Sequence, residues 1–107
     1  MQDIDQSQIG ELINAVMNHD STRVNKLLNS GVDPNSSIDS NKITALHFAA
    51  QINALTIVPL LMQAGACLEA ITHPEGQTAL EIACTHKHSK MIELLVAYKN
   101  IGEMRAN

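Results

Sequence analysis

The heptad Thr44-Ala45-Leu46-His47-Phe48-Ala49-Ala50 returns, weakened, as Thr78-Ala79-Leu80-Glu81-Ile82-Ala83-Cys84, 34 positions further on. The same step backwards lands on Gly10-Glu11-Leu12-Ile13-Asn14-Ala15-Val16, where only the apolar skeleton survives. A fixed period of this length marks stacked repeats, in which each unit buries its apolar face against its neighbours. Columns then align without gaps: Leu12, Leu46 and Leu80; Ala15, Ala49 and Ala83; Val24, Val58 and Ile92; Leu27, Leu61 and Leu95. Alanine in a column lets successive helices approach closely, while leucine fills the space between layers.

Outward from the heptad, each unit reads as two helices and a loop. Ser7 is placed to cap a first helix carrying Ile9, Leu12, Ile13 and Val16 at helical spacing. His19-Asp20-Ser21-Thr22 breaks it and offers fresh caps for a helix with Val24, Leu27 and Leu28, which Gly31 ends. Thr44 caps the next helix, expected to reach Ile52, with Asn53 in the left-handed position that follows. Pro59 costs about 3 kcal/mol inside a helix, so the return helix through Val58, Leu61 and Met62 must start late or distort. Pro74-Glu75-Gly76 signals a turn, and Thr78 with Glu81 forms a capping box. The expected class is all-α, a solenoid of helix-turn-helix units over residues 7–35, 36–69 and 70–100, with a tail at 101–107.

Composition agrees with this class. Of 107 residues 45% are hydrophobic but only 2% aromatic, so the core must be aliphatic, which suits closely packed helices. A formal charge of −4, with scattered Lys and Arg, lacks the basic patch that nucleic acid requires. No apolar run approaches the roughly 18 residues of a membrane span. The acidic opening Met1-Gln2-Asp3-Ile4-Asp5 is unlike a signal peptide. A cytoplasmic protein is therefore expected, with Cys67 and Cys84 as reduced, buried or half-buried thiols.

These residues resemble the ankyrin repeat. The second unit carries the likeness through Thr44, Leu46, His47, Ala49, Ala50, Val58, Leu61, Ala64, Gly65 and Ala66. The third shares Gly76, Thr78, Leu80, Ala83 and His88; the first shares Leu12, Ala15, Val24, Leu27, Leu28, Gly31, Asp33 and Asn35. Departures are Ala45 and Ala79 in place of the family's proline, Lys42 at the turn glycine, Lys99 where Gly31 and Gly65 stand, and a unit one residue longer than the usual 33 or so. The resemblance implies that His47 and His88 are structural and that Cys84 faces the core.

Catalytic chemistry is sought without result. There is no Gly-x-Ser-x-Gly and no phosphate-cradling glycine loop. Cys84, His86 and His88, with His73, fall short of a zinc pattern, because His-x-His alone does not fix four ligands. No catalytic, cofactor or metal site is expected.

By resemblance the chain binds a partner protein through its loop tips and the exposed side of the first helices, as an adaptor, inhibitor or scaffold. Carried over by motif, those positions are Met17, Asn18, Ile38, Ser40, Asn41, Ile43, Gln51, Ile52, Thr72, Pro74, Glu75, Gln77, Thr85 and His86. Ile38, Ile43 and Ile52, with Met17, form the expected apolar centre of the face. An assembly role is the alternative, because Met91-Ile92-Glu93-Leu94-Leu95-Val96 is not polar enough for a plain cap. Either Tyr98, Ile101 and Met104 fold over that end or another subunit covers it, giving a homodimer. Short ankyrin proteins also include bacterial host-directed effectors, a further role implied by resemblance alone.

Overall fold

The computed structural model describes residues 6–37 and 39–105. Its helices in chain order are α1 (Gln6–Met17), α2 (Ser21–Asn29), α3 (Ala45–Gln51), α4 (Val58–Gln63), α5 (Ala79–Thr85) and α6 (Ser89–Arg105). Successive helices pair as α1–α2, α3–α4 and α5–α6. The first members stack as a layer, α1 on α3 and α3 on α5, while α2 packs on α4. Strands are absent among the described residues. The all-α stack of helical hairpins read from the periodicity is the fold observed.

Each helix starts where its local chemistry allows. Asp20 caps α2 by accepting the Arg23 N–H at 3.1 Å. Thr78 and Glu81 form the reciprocal box at the head of α5, with bonds of 3.2 and 2.9 Å. At α3 the same box is made with histidine: the Thr44 N–H donates to His47 Nδ1 at 3.0 Å. Helix α4 starts at Val58, which puts Pro59 in the first turn, where its missing N–H costs nothing. One cap is corrected. Helix α1 begins at Gln6, so Ser7 lies inside the helix instead of ahead of it.

The ends share one device. After α2 the Val32 N–H reaches Leu27 O and the Gly31 N–H reaches Leu28 O, closing a Schellman turn with Gly31 at φ 105°. Gly65 at φ 97° closes α4 in the same way. The first helix of each pair ends likewise, but on His19, Asn53 and Lys87, at φ 56°, 61° and 59°. Left-handed backbone crowds a Cβ, so glycine is the better residue at His19 and Lys87. Combining His19→Gly with Lys87→Gly is expected to gain about 0.5–1 kcal/mol per site, raising Tm by several degrees in a circular dichroism melt. A fall in Tm would mean that these side chains hold the turn.

Where glycine is missing the turn is missing too. Lys99 occupies the column of Gly31 and Gly65, and α6 runs through it to Arg105. Residues 101–105 are thus helical, not a folded-back tail. Tyr98 packs half-buried against the core, and Ile101, 49% exposed, lies beside Met62 and Gln63; Met104's side chain lies outside what is described.

The core is continuous. Leu12, Val16, Val24, Leu46, Ala49, Ala50, Ile57, Val58, Leu61, Ala83, Met91 and Leu95 are all buried within it. Neither cysteine joins them. Cys67 and Cys84 are both free and exposed, which overturns the expectation of filler thiols and of a core-facing Cys84.

Candidate functional site

Between α3, α5 and the loops before them lies a pocket of about 180 Å³ lined by Ile43, His47, Gln51, Thr72, Glu75, Gln77, Ile82 and His86. His47, at its floor, is fixed from both sides. Its Nδ1 accepts from the Thr44 N–H at 3.0 Å and its Nε2–H donates to the Ala70 carbonyl at 2.9 Å. Those partners put the ring proton on Nε2. Burial lowers the His47 pKa, opposed by the carbonyls of Ala70 and Gln77, so the floor holds a neutral imidazole near pH 7.

The loop wall is built by Thr72. Its N–H donates to Gln77 O at 3.0 Å, its carbonyl accepts from the Gly76 N–H at 2.8 Å, and its hydroxyl accepts from the Gln77 N–H at 3.2 Å. The turn this closes holds Glu75 out at its tip. Successive loops are tied together by the His73 N–H, which donates to Asn41 O at 2.8 Å. Across the pocket, His86 Nδ1–H donates to Ile82 O at 3.0 Å, and His88 Nε2–H donates to Gln51 O at 2.9 Å. Those rings stack with centroids 5.8 Å apart. Among the described residues no group of His, Cys, Asp or Glu converges as metal ligands do.

The positions read from the sequence divide into several groups. Ile43, Gln51, Thr72, Glu75, Gln77 and His86 meet at this pocket. Ser40, Asn41 and Pro74 are exposed on the neighbouring loops, and Thr85 is exposed at the end of α5. Met17, at 43% exposure, and Asn18 sit at the end of α1. Ile38 lies outside the described residues. Two corrections follow. Thr72 is buried, its side chain spent on its own turn. Ile52 is half-buried against the core, so it anchors the α3 terminus and is not an open patch. Ile82 and His47 were missed as lining residues. The 34-residue register pairs His47 with Glu81 and Ile82 with Phe48, so it puts the two on neighbouring units without setting them face to face.

Size limits what the pocket can hold. Small-molecule sites usually span about 300–1,000 Å³ and enclose most of the ligand. This one is smaller and open, and fits a single side chain of a larger partner. A wider hollow of about 490 Å³ lies on the other layer, between α2, α4 and the Gly31 turn; Asp33 is its only ionisable lining residue.

A stack of helical hairpins joined by turns, with hollows on both of its layers, defines a repeat scaffold. The chain belongs to the ankyrin repeat family, matching the description "Ankyrin repeats (3 copies)" over residues 12–105. It is also similar to the Oryza sativa subsp. japonica protein named "Probable E3 ubiquitin-protein ligase XBOS33", at 41% identity over 54 residues. That alignment covers 50% of this chain and 10% of the rice protein. Ankyrin repeats are in general non-catalytic modules for protein interaction. Among the described residues no helix is long and apolar enough to cross a membrane.

Proposed function

We propose that a partner protein docks across the loops and the α1–α3–α5 layer and inserts one side chain into the pocket between α3 and α5. The observation that supports this is the convergence of Ile43, Gln51, Glu75, Gln77 and His86 on one hollow of side-chain size. Ile43 offers an apolar wall, and Gln51, Gln77 and Glu75 offer acceptors around it. The inserted group on this reading has an aliphatic stem and a donor at its tip, as lysine and arginine do. Ser40, Asn41, Pro74, Thr85, Met17 and Asn18 form the surrounding rim. An adaptor or inhibitor in the cytoplasm would use such a face, masking a basic or amide-rich segment of its partner.

The test begins with affinity purification from native cells, followed by a binding titration with the recovered partner. Ile43→Lys and His86→Lys, which place a cation where the inserted donor would sit, are expected to weaken binding about 30-fold or more, the loss typical of a central anchor. Asn25→Ala, on the α2–α4 layer, should leave affinity unchanged. His86 is exposed, so the circular dichroism melt of His86→Lys should match the parent chain. Full affinity in both variants would overturn the reading.

A further inference from the structure

The α2–α4 layer carries a groove of its own. The hollow of about 490 Å³ between these helices continues into a smaller one of about 330 Å³, because Asn25 and Leu60 line both. Leu28 and Leu60, each half-buried against the core, give it an apolar floor, and carboxamides and hydroxyls stand around them. Asp33 lies at the Asn29 end and is the only ionisable group lining the groove; Ser21, Thr22 and Thr56 line the other end.

The amides of this groove are not spent inside the molecule. Asn14 and Asn18, four residues apart on α1, bond to each other at 3.4 Å. Asn35 bridges to the Gly65 carbonyl and the Cys67 N–H of the next unit. Asn25, Asn29 and Gln63, by contrast, make no side-chain bond to any described residue. Asn25 and Asn29 are also four apart, one above the other on the exposed side of α2. Gln63 on α4 repeats Asn29 one 34-residue step later.

Spacing and chemistry select the occupant. Residues four apart on a helix are displaced by about 6 Å along its axis. Alternate residues of an extended chain are about 6.6 Å apart, and each turns its N–H and C=O to the same side. A carboxamide holds both an acceptor and donors, so it can answer both groups of one such residue. Asn25 and Asn29 therefore match two main-chain positions on one edge of a strand. Gln63, across the groove, matches the residue between them, whose groups point to the other edge. Asp33 gives one carboxylate oxygen to the Asn35 N–H at 2.9 Å and keeps the other open. No basic residue lines the groove and Arg23 is paired with Glu11, so a cation is favoured beside Asp33. We propose that the α2–α4 groove binds an extended peptide segment through its main chain, with an apolar side chain on Leu28 and Leu60 and a basic residue beside Asp33. From Ser21 to Asn29 the groove covers about 12 Å, the length of about four extended residues. This site does not rest on the partner-docking reading, since it lies on the other layer from the α3–α5 pocket.

The test uses the capped hexapeptide acetyl-Lys-Ala-Val-Ala-Val-Lys-amide, whose two lysines serve either chain direction. It is titrated into the isotope-labelled chain and followed by NMR. The side-chain amide signals of Asn25, Asn29 and Gln63 should shift saturably, while those of Gln51 and Gln77 stay in place. Asn25→Ala combined with Asn29→Ala, both at exposed positions, should keep the circular dichroism melt and weaken binding about tenfold or more. The same peptide with N-methylated valines keeps its side chains but loses main-chain donors, and it should not bind. Absence of any shift with the unmodified peptide overturns the site, and so do shifts at Gln51 and Gln77 instead. Binding that survives N-methylation, or the loss of both asparagines, overturns main-chain recognition. None of these failures touches the α3–α5 pocket, which Ile43→Lys tests separately.

Discussion

Replacing Leu61 with alanine is expected to remove about 2–5 kcal/mol of folding free energy, read as a fall in urea midpoint. Leu61 is fully buried in α4 of the central unit, within the core that joins all the units. A chain of this size holds only about 5–15 kcal/mol in total, so the variant would lie near the unfolding threshold at body temperature. Leu27 provides the internal comparison. It shares the column, but it is only half-buried, in the first of the three described units. Leu27→Ala should cost clearly less, since less surface leaves water on folding and the cavity can be entered by solvent. In a stack with nearest-neighbour coupling, a central defect weakens two interfaces and an end defect one. Equal losses at the two positions would contradict that distribution.

Most of the architecture is legible in the sequence because local and repeated signals agree. The 34-residue period aligns Leu12 with Leu46 and Leu80, and the caps Asp20, Thr44 and Thr78 sit where helices begin. Pro59 fixes the start of α4 by the same logic. Where the reading fails, the cause is a missing neighbour or a local competitor. Cys84 matches buried columns, yet it is exposed in the last of the three described units. Lys99 removes the left-handed stop, and α6 continues past the expected end of its unit. Thr72 looks like a polar tip residue, but its hydroxyl closes its own turn.

The site is legible only in part, for a related reason. Register identifies which residues repeat, so it locates Gln51 and His86 beside the heptad. It does not say how deep a side chain sits. Ile43 and Ile52 appear equally apolar in sequence, but Ile52 packs on the core while Ile43 lines the pocket. The heptad that identifies the fold also supplies His47 to the pocket floor, so scaffold and site overlap at one imidazole.

That imidazole carries the second large effect. In the folded chain burial lowers the His47 pKa below the ordinary 6.5, so the unfolded chain takes up its proton first as the solution is acidified. Stability then rises with pH across this window: the contribution is fully present above about 6.5 and is lost as pH falls through the folded value. Protonation turns Nδ1 into a donor that the Thr44 hydroxyl, 2.9 Å away, can accept, but it leaves the buried Thr44 N–H without its acceptor. Two variants separate these roles. His47→Gln can keep the capping box, as Glu81 does in the next unit, but it loses the bond to Ala70 and cannot titrate. His47→Ala strands both Thr44 N–H and Ala70 C=O and should cost about 2–5 kcal/mol, from about 1–3 kcal/mol for each group left unpaired. The advantage of the parent chain over His47→Gln, measured by urea midpoints, should shrink between about pH 7.5 and about pH 5. A gap that stays constant or widens on acidification would show that His47 keeps its ordinary proton affinity in the fold, and that its bonds to Thr44 and Ala70 do not depend on a neutral ring.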